Sequence, residues 1–231
     1  MDILNFHKKL IDNYKTYIQS FLNIKDPTIL RFVDSEIQNK KLWPEPLVQF
    51  NPTYEPGNPL SNLVRDGHLH EEIGKIFSGF NLYRHQEEAL LLGAKGKEFI
   101  VTSGTGSGKS LTFMATIFNH VINQHGSATN KIQAIVVYPM NALINSQFNE
   151  ITKFKDKYEE KYNKEFPITF AQYTGQESEE QKEEIRQKPP HILLTNYVML
   201  ELAMTRGGRD IEIRKNFLEN MRYLVFDELH T

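Results

Sequence analysis

The sequence predicts an α/β fold in which helices cover both faces of a parallel sheet. From residue 80 onward, short apolar runs rich in β-branched residues alternate with segments of helical periodicity. Runs that are apolar throughout are typical of strands buried on both faces, and strand–helix alternation is typical of parallel sheets. A glycine-rich loop between the first run and its helical segment indicates a P-loop version of this fold.

Five apolar runs are the strand candidates of the sheet. They are residues 98–102, 134–138, 168–172, 191–195 and 223–226. Helical periodicity occupies residues 108–125, 141–160, 177–187, 196–206 and 211–221. Because the alternation continues to the last residues, the sequence predicts one domain over residues 80–231.

Residues 1–79 have a different pattern of apolar residues and prolines, and they are predicted to form a helical and extended N-terminal annex. Apolar residues recur at helical spacing in 3–24, and again after Pro27. Repeated prolines over residues 44–59 then exclude a helix or a central strand. This stretch is either a linker or an extended strap on a domain surface, and its embedded Trp43 and Tyr54 favour the strap.

Composition limits the function classes. With 39% hydrophobic residues in 231, the chain can build a core. It has no run near the ~18 apolar residues of a membrane span and no secretory signal pattern, which predicts a cytoplasmic protein without a membrane partner. The lack of cysteine excludes disulfides and cysteine-ligated metal sites in this segment. A net charge of −2 means that any nucleic-acid contact must come from local groups.

The strongest motif runs from Thr102 to Ser110, after a strand pattern and at the start of a helical one. Its small residues let backbone N–H groups curl around a phosphate, and the helix start adds positive potential. Lys109 would reach the β- and γ-phosphates of a nucleotide, and the Ser110 hydroxyl would ligate Mg²⁺. The other residues of the candidate site are Ser103, Gly104, Thr105, Gly106, Ser107 and Gly108.

The second motif is the apolar run 223–226 followed by Asp227 and Glu228. Paired carboxylates suit nucleotide hydrolysis: Asp227 can hold Mg²⁺ through its water shell, and Glu228 can orient and deprotonate the attacking water. An Asp-Glu pair after a strand is common on protein surfaces, so this motif indicates nucleotide hydrolysis only in combination with the phosphate loop. His230 gains interest only from its place beside these carboxylates.

Together these motifs resemble those of superfamily 2 helicases of the DEAD/DEAH-box group. The resemblance implies that residues 80–231 form the N-terminal RecA-like lobe, with ATP and Mg²⁺ as ligands. It also implies catalytic roles for Lys109, Asp227 and Glu228, and a role for His230 in coupling hydrolysis to nucleic acid. Ser103 departs from the glycine of the general P-loop pattern, as expected for a group that places a small residue there.

The run from Leu82 to Gln86 resembles the glutamine-containing element that precedes the phosphate loop in this group. The resemblance implies that Gln86 reads the adenine edge with both amide groups, and that Tyr83 or Phe80 packs on the ring. The alternative is that Arg84 simply opens a polar helix.

Three strand-end loops occupy the places where this group contacts the nucleic-acid backbone. Strand ends that open helices offer free N–H and hydroxyl donors, which bind phosphate without net positive charge. Such loops are common, so each one alone is also compatible with an ordinary turn. The candidate contacts are Pro139, Asn141, Thr174, Gly175, Thr195 and Asn196.

The residues of these motifs are similar to those of large bacterial helicases, namely MrfA-like repair helicases and helicase subunits of phage-defence systems such as DISARM. This resemblance implies DNA rather than RNA as the partner, with other defence-system proteins as further partners. The group uses two RecA-like lobes, and the second is missing here, so we expect a fragment with weak ATPase activity and a sheet lacking one central strand. The alternative function is a truncated, non-catalytic nucleotide-binding or assembly module of a multi-protein complex that docks through residues 1–79.

Overall fold

The computed structural model of the chain describes residues 2–39, 47, 53–104, 106–124, 131–208 and 211–228. The chain divides into two compact units, Met1–Pro52 and Thr53–Thr231. The division at residue 80 expected from the sequence falls inside the second unit and stays a prediction. No helix in the described ranges is long and apolar enough to cross a membrane.

The first unit contains two helices, α1 (Ile3–Ser20) and α2 (Pro27–Gln38). Each begins at an aspartate, Asp2 or Asp26, whose carboxylate accepts hydrogen bonds from two backbone N–H groups of the first turn. Such caps satisfy donors that a helix start leaves unpaired. The two helical patterns expected from the sequence are thus confirmed. The predicted strap residue Trp43 lies outside the described residues.

The second unit starts with a small antiparallel pair, β1 (Pro56–Pro59) and β2 (Asn81–Tyr83). The described part of the proline-rich segment is therefore extended and paired, as a strap would be. Two short helices that the sequence pattern did not reveal, α3 (Leu60–Arg65) and α4 (Glu71–Ile76), lie between these strands.

The main sheet has four parallel strands in the order β4-β5-β3-β6. All five residues of β3 are buried, as expected for a strand covered on both faces. Four of the five strand predictions are confirmed within two residues at their starts. The strands are β3 (Ala134–Tyr138), β4 (Phe170–Tyr173), β5 (Ile192–Asn196) and β6 (Tyr223–Phe226).

The predicted strand at residues 98–102 is wrong, because this run has no regular structure in the described chain. Both edges of β3 are occupied, by β5 and β6, and no described strand pairs with residues 98–102. An extended run forms a strand only where a neighbour accepts and donates its backbone hydrogen bonds. Ile100 is accordingly 89% exposed, and the β6 residues Leu224 and Phe226 are also exposed.

Six helices surround the sheet and form one hydrophobic cluster on each face. One cluster joins alternate β3 residues such as Val136 to α5, α6 and α7, and the other joins residues such as Ile135 to α8, α9 and α10. Two-sided cover confirms the predicted α/β class, and five of these six helices, all except α5, match the five predicted segments. They are α5 (Arg84–Ala94), α6 (Lys109–Asn123), α7 (Asn141–Tyr162), α8 (Glu179–Gln187), α9 (Tyr197–Thr205) and α10 (Ile211–Asn220).

Candidate functional site

The phosphate loop turns sharply into helix α6 through two glycines. Gly106 and Gly108 have φ values of 77° and 71°, in the left-handed region that favours glycine. Gly108 is the residue before the first helical position, Lys109, so the loop delivers the free N–H groups of the helix start. These donors and the helix dipole make the loop suited to bind an anion. Thr105 lies outside the described residues.

A pair of serine hydroxyls closes the loop. The Oγ atoms of Ser103 and Ser107 lie 2.6 Å apart in a hydrogen bond, and Ser107 is 1% exposed. The serine at the first loop position therefore fastens the loop across its base, which a glycine could not do. Sequence reasoning missed this contact, although the two serines four residues apart were the available signal.

The side chain of Lys109 folds back over the loop. Its Nζ donates to the carbonyl oxygens of Ser103 at 2.9 Å and Gly104 at 3.3 Å. The ammonium group thus lies beside the loop where the phosphates of a nucleotide would meet it. Ser110 follows in the first helical turn, where it is half-buried.

Gln86 connects helix α5 to the phosphate loop. Its side chain is 4% exposed, and Nε2 donates to the carbonyl oxygens of Ser107 at 3.2 Å and Gly108 at 3.0 Å. Its Oε1 accepts a 2.9 Å hydrogen bond from the N–H of Tyr83. Both amide groups are therefore engaged within the protein, so reading an adenine edge requires an exchange of these bonds. That role stays a prediction.

Two aromatic side chains were expected to pack on the base. Tyr83 stacks on His85 with ring centroids 5.8 Å apart, and His85 Nε2 lies 3.2 Å from the Ser107 carbonyl oxygen. Phe80 instead packs on the core residues Phe77 and Phe154. Tyr83 is therefore the better placed of the two beside the phosphate loop.

The acidic motif lies at the end of β6, next to the central strand. The N–H of Asp227 donates to the Val137 carbonyl oxygen at 3.0 Å, and the Asp227 carboxylate accepts from the N–H of Glu228 at 3.1 Å. Glu228 has a φ of 52°, a left-handed conformation that is strained for a non-glycine residue. Such strain is often found at functional sites. His230 lies outside the described residues.

The pKa of Asp227 depends on its burial and on the charges of Glu228 and Lys109. Burial and the charge of Glu228 raise the pKa of the Asp227 carboxyl, while the charge of Lys109 acts in the opposite direction. A bound cation would counteract both effects, since it stabilises the charged form of a half-buried carboxylate.

The donor set fits Mg²⁺. The described residues contain no cluster of three or more His, Cys, Asp or Glu side chains that could hold a metal ion. Mg²⁺ needs no such cluster, because it is held by one or two protein oxygens together with waters and nucleotide phosphates. The Ser110 hydroxyl and the Asp227 carboxylate are donors of that kind.

Tyr138 is a further residue near the acidic motif. It ends β3 with 1% exposure, and its hydroxyl has no hydrogen-bond partner within the described part of the chain. Burial, followed by the charge of Asp227, raises the pKa of this phenol. Sequence reasoning missed it because a tyrosine in an apolar strand is ordinarily part of the core.

The candidate nucleic-acid contacts lie where parallel strands end. Asn196 Nδ2 donates to Asn141 Oδ1 at 2.9 Å, and Asn196 Oδ1 accepts from the N–H of Met199 at the start of α9. The structure thus brings two of the predicted residues together. Thr195 is 1% exposed and donates its hydroxyl hydrogen to the Tyr173 carbonyl oxygen at 2.6 Å, so this hydroxyl is an internal link between β5 and β4.

The third strand-end loop already holds a carboxylate. The N–H and hydroxyl of Thr174 both donate to the carboxylate of Glu177. Gly175 beside them is exposed, and Pro139 on the neighbouring loop is half-buried. The donors at Thr174 are therefore arranged to bind an anionic oxygen, and in this structure a side chain supplies it.

Comparison with known proteins identifies the family of this chain. Residues 83–231 match the DEAD/DEAH box helicase family. Druantia protein DruE of Escherichia coli is 28% identical over 185 residues, which cover 73% of this chain and 10% of DruE. The uncharacterized ATP-dependent helicase MJ1574 of Methanocaldococcus jannaschii is 30% identical over 162 residues, covering 69% of this chain and 22% of the relative. The chain thus spans less than a quarter of the length of these relatives.

Solved helicase structures share the fold. The DUF1998 helicase MrfA bound to DNA and AMPPNP superposes with a TM-score of 0.61 at 24% identity, covering 85% of this chain and 26% of MrfA. Mycobacterium smegmatis helicase Lhr bound to ssDNA and AMP-PNP gives a TM-score of 0.59 at 22% identity, covering 75% of this chain and 21% of Lhr. At these identities the likeness shows the fold, which is that of a RecA-like helicase lobe.

Proposed function

The chain belongs to the DEAD/DEAH box helicase family, and from this premise we propose that it is the ATP-binding lobe of an ATP-dependent helicase or translocase acting on DNA. The observation that carries the proposal is the phosphate loop, whose Gly106 and Gly108 turn the chain into the start of α6 while the Lys109 ammonium lies over the loop carbonyl oxygens. A nucleotide with its metal needs both motifs at one place, since one binds phosphate and the other holds the cation.

The proposed roles rest on the placement of the described groups and, for His230, on the motif resemblance alone. The backbone N–H groups at the start of α6 and the ammonium of Lys109 bind the phosphates. Ser110 and Asp227 hold Mg²⁺, which neutralises charge on the phosphates when bound. Glu228, which follows Asp227 directly and has a left-handed backbone conformation, orients and deprotonates the attacking water. His230 couples this site to the nucleic acid.

DNA is the proposed nucleic acid because the residues of the motifs resemble those of MrfA-like and phage-defence helicases. Participation in DNA repair or phage defence, with other defence-system proteins as partners and a cytoplasmic location, belongs to the same proposal. Contact with the nucleic-acid backbone would come from the strand-end loops, where Asn141 and Asn196 lie together. Competition between DNA and RNA strands of the same sequence for the protein tests the preference.

A steady-state ATPase assay tests the enzymatic proposal. The chain, and in parallel the product of its whole gene, is assayed with and without DNA, as wild type and as Glu228→Gln. Stimulation by DNA that Glu228→Gln removes supports the proposal. An arginine finger from a second lobe is worth roughly 10³ to 10⁵ in rate, so we expect slow turnover unless such a lobe is present. Absence of DNA stimulation in the gene product, together with an unaffected Glu228→Gln variant, refutes it.

The alternative is a non-catalytic nucleotide-binding or assembly module, and one observation favours it. Helix α1 has helical apolar spacing, yet none of its residues is buried. Phe6 and Tyr17, for example, are 54% and 59% exposed. If the module docks through this face, polar substitutions there would abolish complex assembly and leave nucleotide binding unchanged.

A further inference from the structure

Tyr138 is a core residue whose hydroxyl the fold does not use. The residue ends β3 with 1% exposure, among the apolar side chains that join the sheet to α6 and α7. Its hydroxyl is buried and has no hydrogen-bond partner within the described part of the chain. Burial of an unpaired hydroxyl costs stability, and phenylalanine would fill nearly the same space without that cost. The hydroxyl therefore points to a partner that it gains when a ligand binds.

The sheet places Tyr138 beside Asp227. Strands β3 and β6 are parallel, with Val137 paired to Phe226. The N–H of Asp227 donates to the Val137 carbonyl oxygen at 3.0 Å, which carries the pairing one residue beyond the end of β6. The next residues along the two strands, Tyr138 and Asp227, are therefore neighbours across the ladder, where adjacent strands lie about 4.8 Å apart.

The two side chains also share one face of the sheet. Successive side chains of a strand alternate between the faces. Val136 and Tyr138 belong to the cluster that packs on α6, and Tyr223 and Val225 of β6 pack against the same cluster. Asp227 is two residues after Val225, so the alternation places its carboxyl on this face. Helix α6 begins at the phosphate loop, so this is the side of the sheet on which phosphates would bind.

The chemistry of the two groups is complementary. Burial, followed by the charge of Asp227, raises the pKa of the Tyr138 phenol, so the hydroxyl keeps its proton and can donate it in a hydrogen bond. A carboxylate has acceptor sites for further donors besides the N–H of Glu228. Carboxylates at metal sites are ordinarily held in orientation by such donors.

We propose that Tyr138 is a positioning residue of the metal site, whose hydroxyl donates a hydrogen bond to the Asp227 carboxylate, or to a water on that carboxylate, when nucleotide and Mg²⁺ are bound. This inference rests on the proposed function, because it assigns the metal to Asp227. The hydroxyl fixes the direction in which the carboxylate faces the cation and takes no part in the chemical step. It adds the central strand β3 to the elements that shape the nucleotide site.

The gain in affinity from ATP in EDTA to MgATP tests this role. Calorimetry on the full chain measures both affinities for wild type, Tyr138→Phe and Tyr158→Phe. Tyr158 is the matched control, a buried tyrosine of α7 whose hydroxyl donates to Glu72 at 2.6 Å. Loss of a partner that orients a metal ligand weakens metal binding roughly 10- to 100-fold. We expect Tyr138→Phe to lose about tenfold of the gain, with unchanged ATP affinity in EDTA, and Tyr158→Phe to keep the wild-type gain.

Melting temperatures without nucleotide give a second readout. Tyr138→Phe removes a hydroxyl that has no partner, so this variant should melt at or above the wild-type temperature. Tyr158→Phe removes a bonded hydroxyl and leaves Glu72 with one donor fewer, so it should melt at a lower temperature. Opposite effects of the same chemical change at two buried tyrosines would separate a positioning hydroxyl from a structural one.

Other outcomes overturn the inference. An unchanged gain in Tyr138→Phe shows that the hydroxyl does not act on the metal site, and equal weakening with and without Mg²⁺ shows that it only supports the loop. A melting temperature of Tyr138→Phe as low as that of Tyr158→Phe shows that the hydroxyl already has a partner. MgATP binding that survives Lys109→Ala refutes the proposed function itself, whereas an unchanged Tyr138→Phe beside a Lys109→Ala that no longer binds refutes this inference alone.

Discussion

Replacing Gln86 by methionine tests two roles of this side chain: recognition of the base, and attachment of the phosphate loop to helix α5. Methionine has nearly the same length and no amide. In the structure the amide makes three hydrogen bonds from a position that is 4% exposed: two to loop carbonyl oxygens and one from the N–H of Tyr83. The substitution removes all three and leaves the apolar packing of the stem in place.

The expected loss of stability follows from those bonds. Each buried hydrogen bond contributes about 1 kcal/mol, and burial of an apolar group instead of an amide recovers part of the sum. Because Gly108 is exposed, water can replace the bond to its carbonyl oxygen. A net loss of roughly 2 kcal/mol is therefore expected, which lowers the melting temperature of a domain of this size by about 4–8 °C.

Thermal unfolding monitored by circular dichroism measures the effect, with Gln124→Met as the matched control. Gln124 is exposed at the end of α6, so its substitution should change stability by less than about 0.5 kcal/mol. A Gln86→Met melting temperature equal to that of the control refutes the attachment role. In the same samples the preference for ATP over GTP should fall in Gln86→Met, and equal affinity of the wild type for both nucleotides refutes base reading.

Three further substitutions test the site. Lys109→Ala should abolish the thermal stabilisation by MgATP, which at a hundredfold excess over the dissociation constant is worth about 2.7 kcal/mol; stabilisation that survives contradicts the phosphate-loop role. Asp227→Asn should raise the melting temperature at pH 7 in EDTA and lose this advantage as the pH falls. The reason is that burial raises the Asp227 pKa, so folding favours its protonated form, and that contribution is lost as the pH rises through the folded-state pKa. An Asp227→Asn melting temperature at or below that of wild type at pH 7 contradicts this account of the Asp227 pKa. Glu177→Gln should tighten single-stranded DNA binding several-fold at low salt, and less at high salt, because it removes the carboxylate held by Thr174. Fluorescence anisotropy measures this, with Glu184→Gln on the neighbouring helix as control; equal affinities of the two variants contradict the reasoning.

The sheet and its helices could be predicted where the signal is local. The β3 residues 134–138 are all apolar, and the strand is buried on both faces. Residues 98–102 carry the same signal, yet they are not a strand, because a ladder also requires a neighbour. The short helix α4 depends on tertiary packing of residues such as Ile73, which is fully buried, and six residues are too few for a periodicity signal.

The residues of the candidate site also divide into those with a local sequence signal and those that depend on tertiary contacts. The glycines and Lys109 are recognisable in sequence because their spacing alone defines the loop. The bond between Ser103 and Ser107, and the approach of Tyr54 to Tyr83, depend on how the chain folds back on itself. No spacing rule encodes contacts between the strap and the segment before α5, since they are fixed by a sheet pairing that the prolines of β1 obscure.

Three of the predicted ligand-binding groups, those of Lys109, Gln86 and Thr174, already have a partner within the protein. The ammonium of Lys109 and the amide of Gln86 are bound to loop carbonyl oxygens, and the donors of Thr174 are bound to a carboxylate. The proposed binding of nucleotide or nucleic acid would therefore be an exchange of hydrogen bonds, and only the difference between old and new bonds would appear as affinity. Internal acceptors keep the donors oriented without ligand and lower the apparent affinity. It follows that removing an internal acceptor should tighten binding, whereas removing a donor should weaken it, so Glu177→Gln and Lys109→Ala are expected to act in opposite directions.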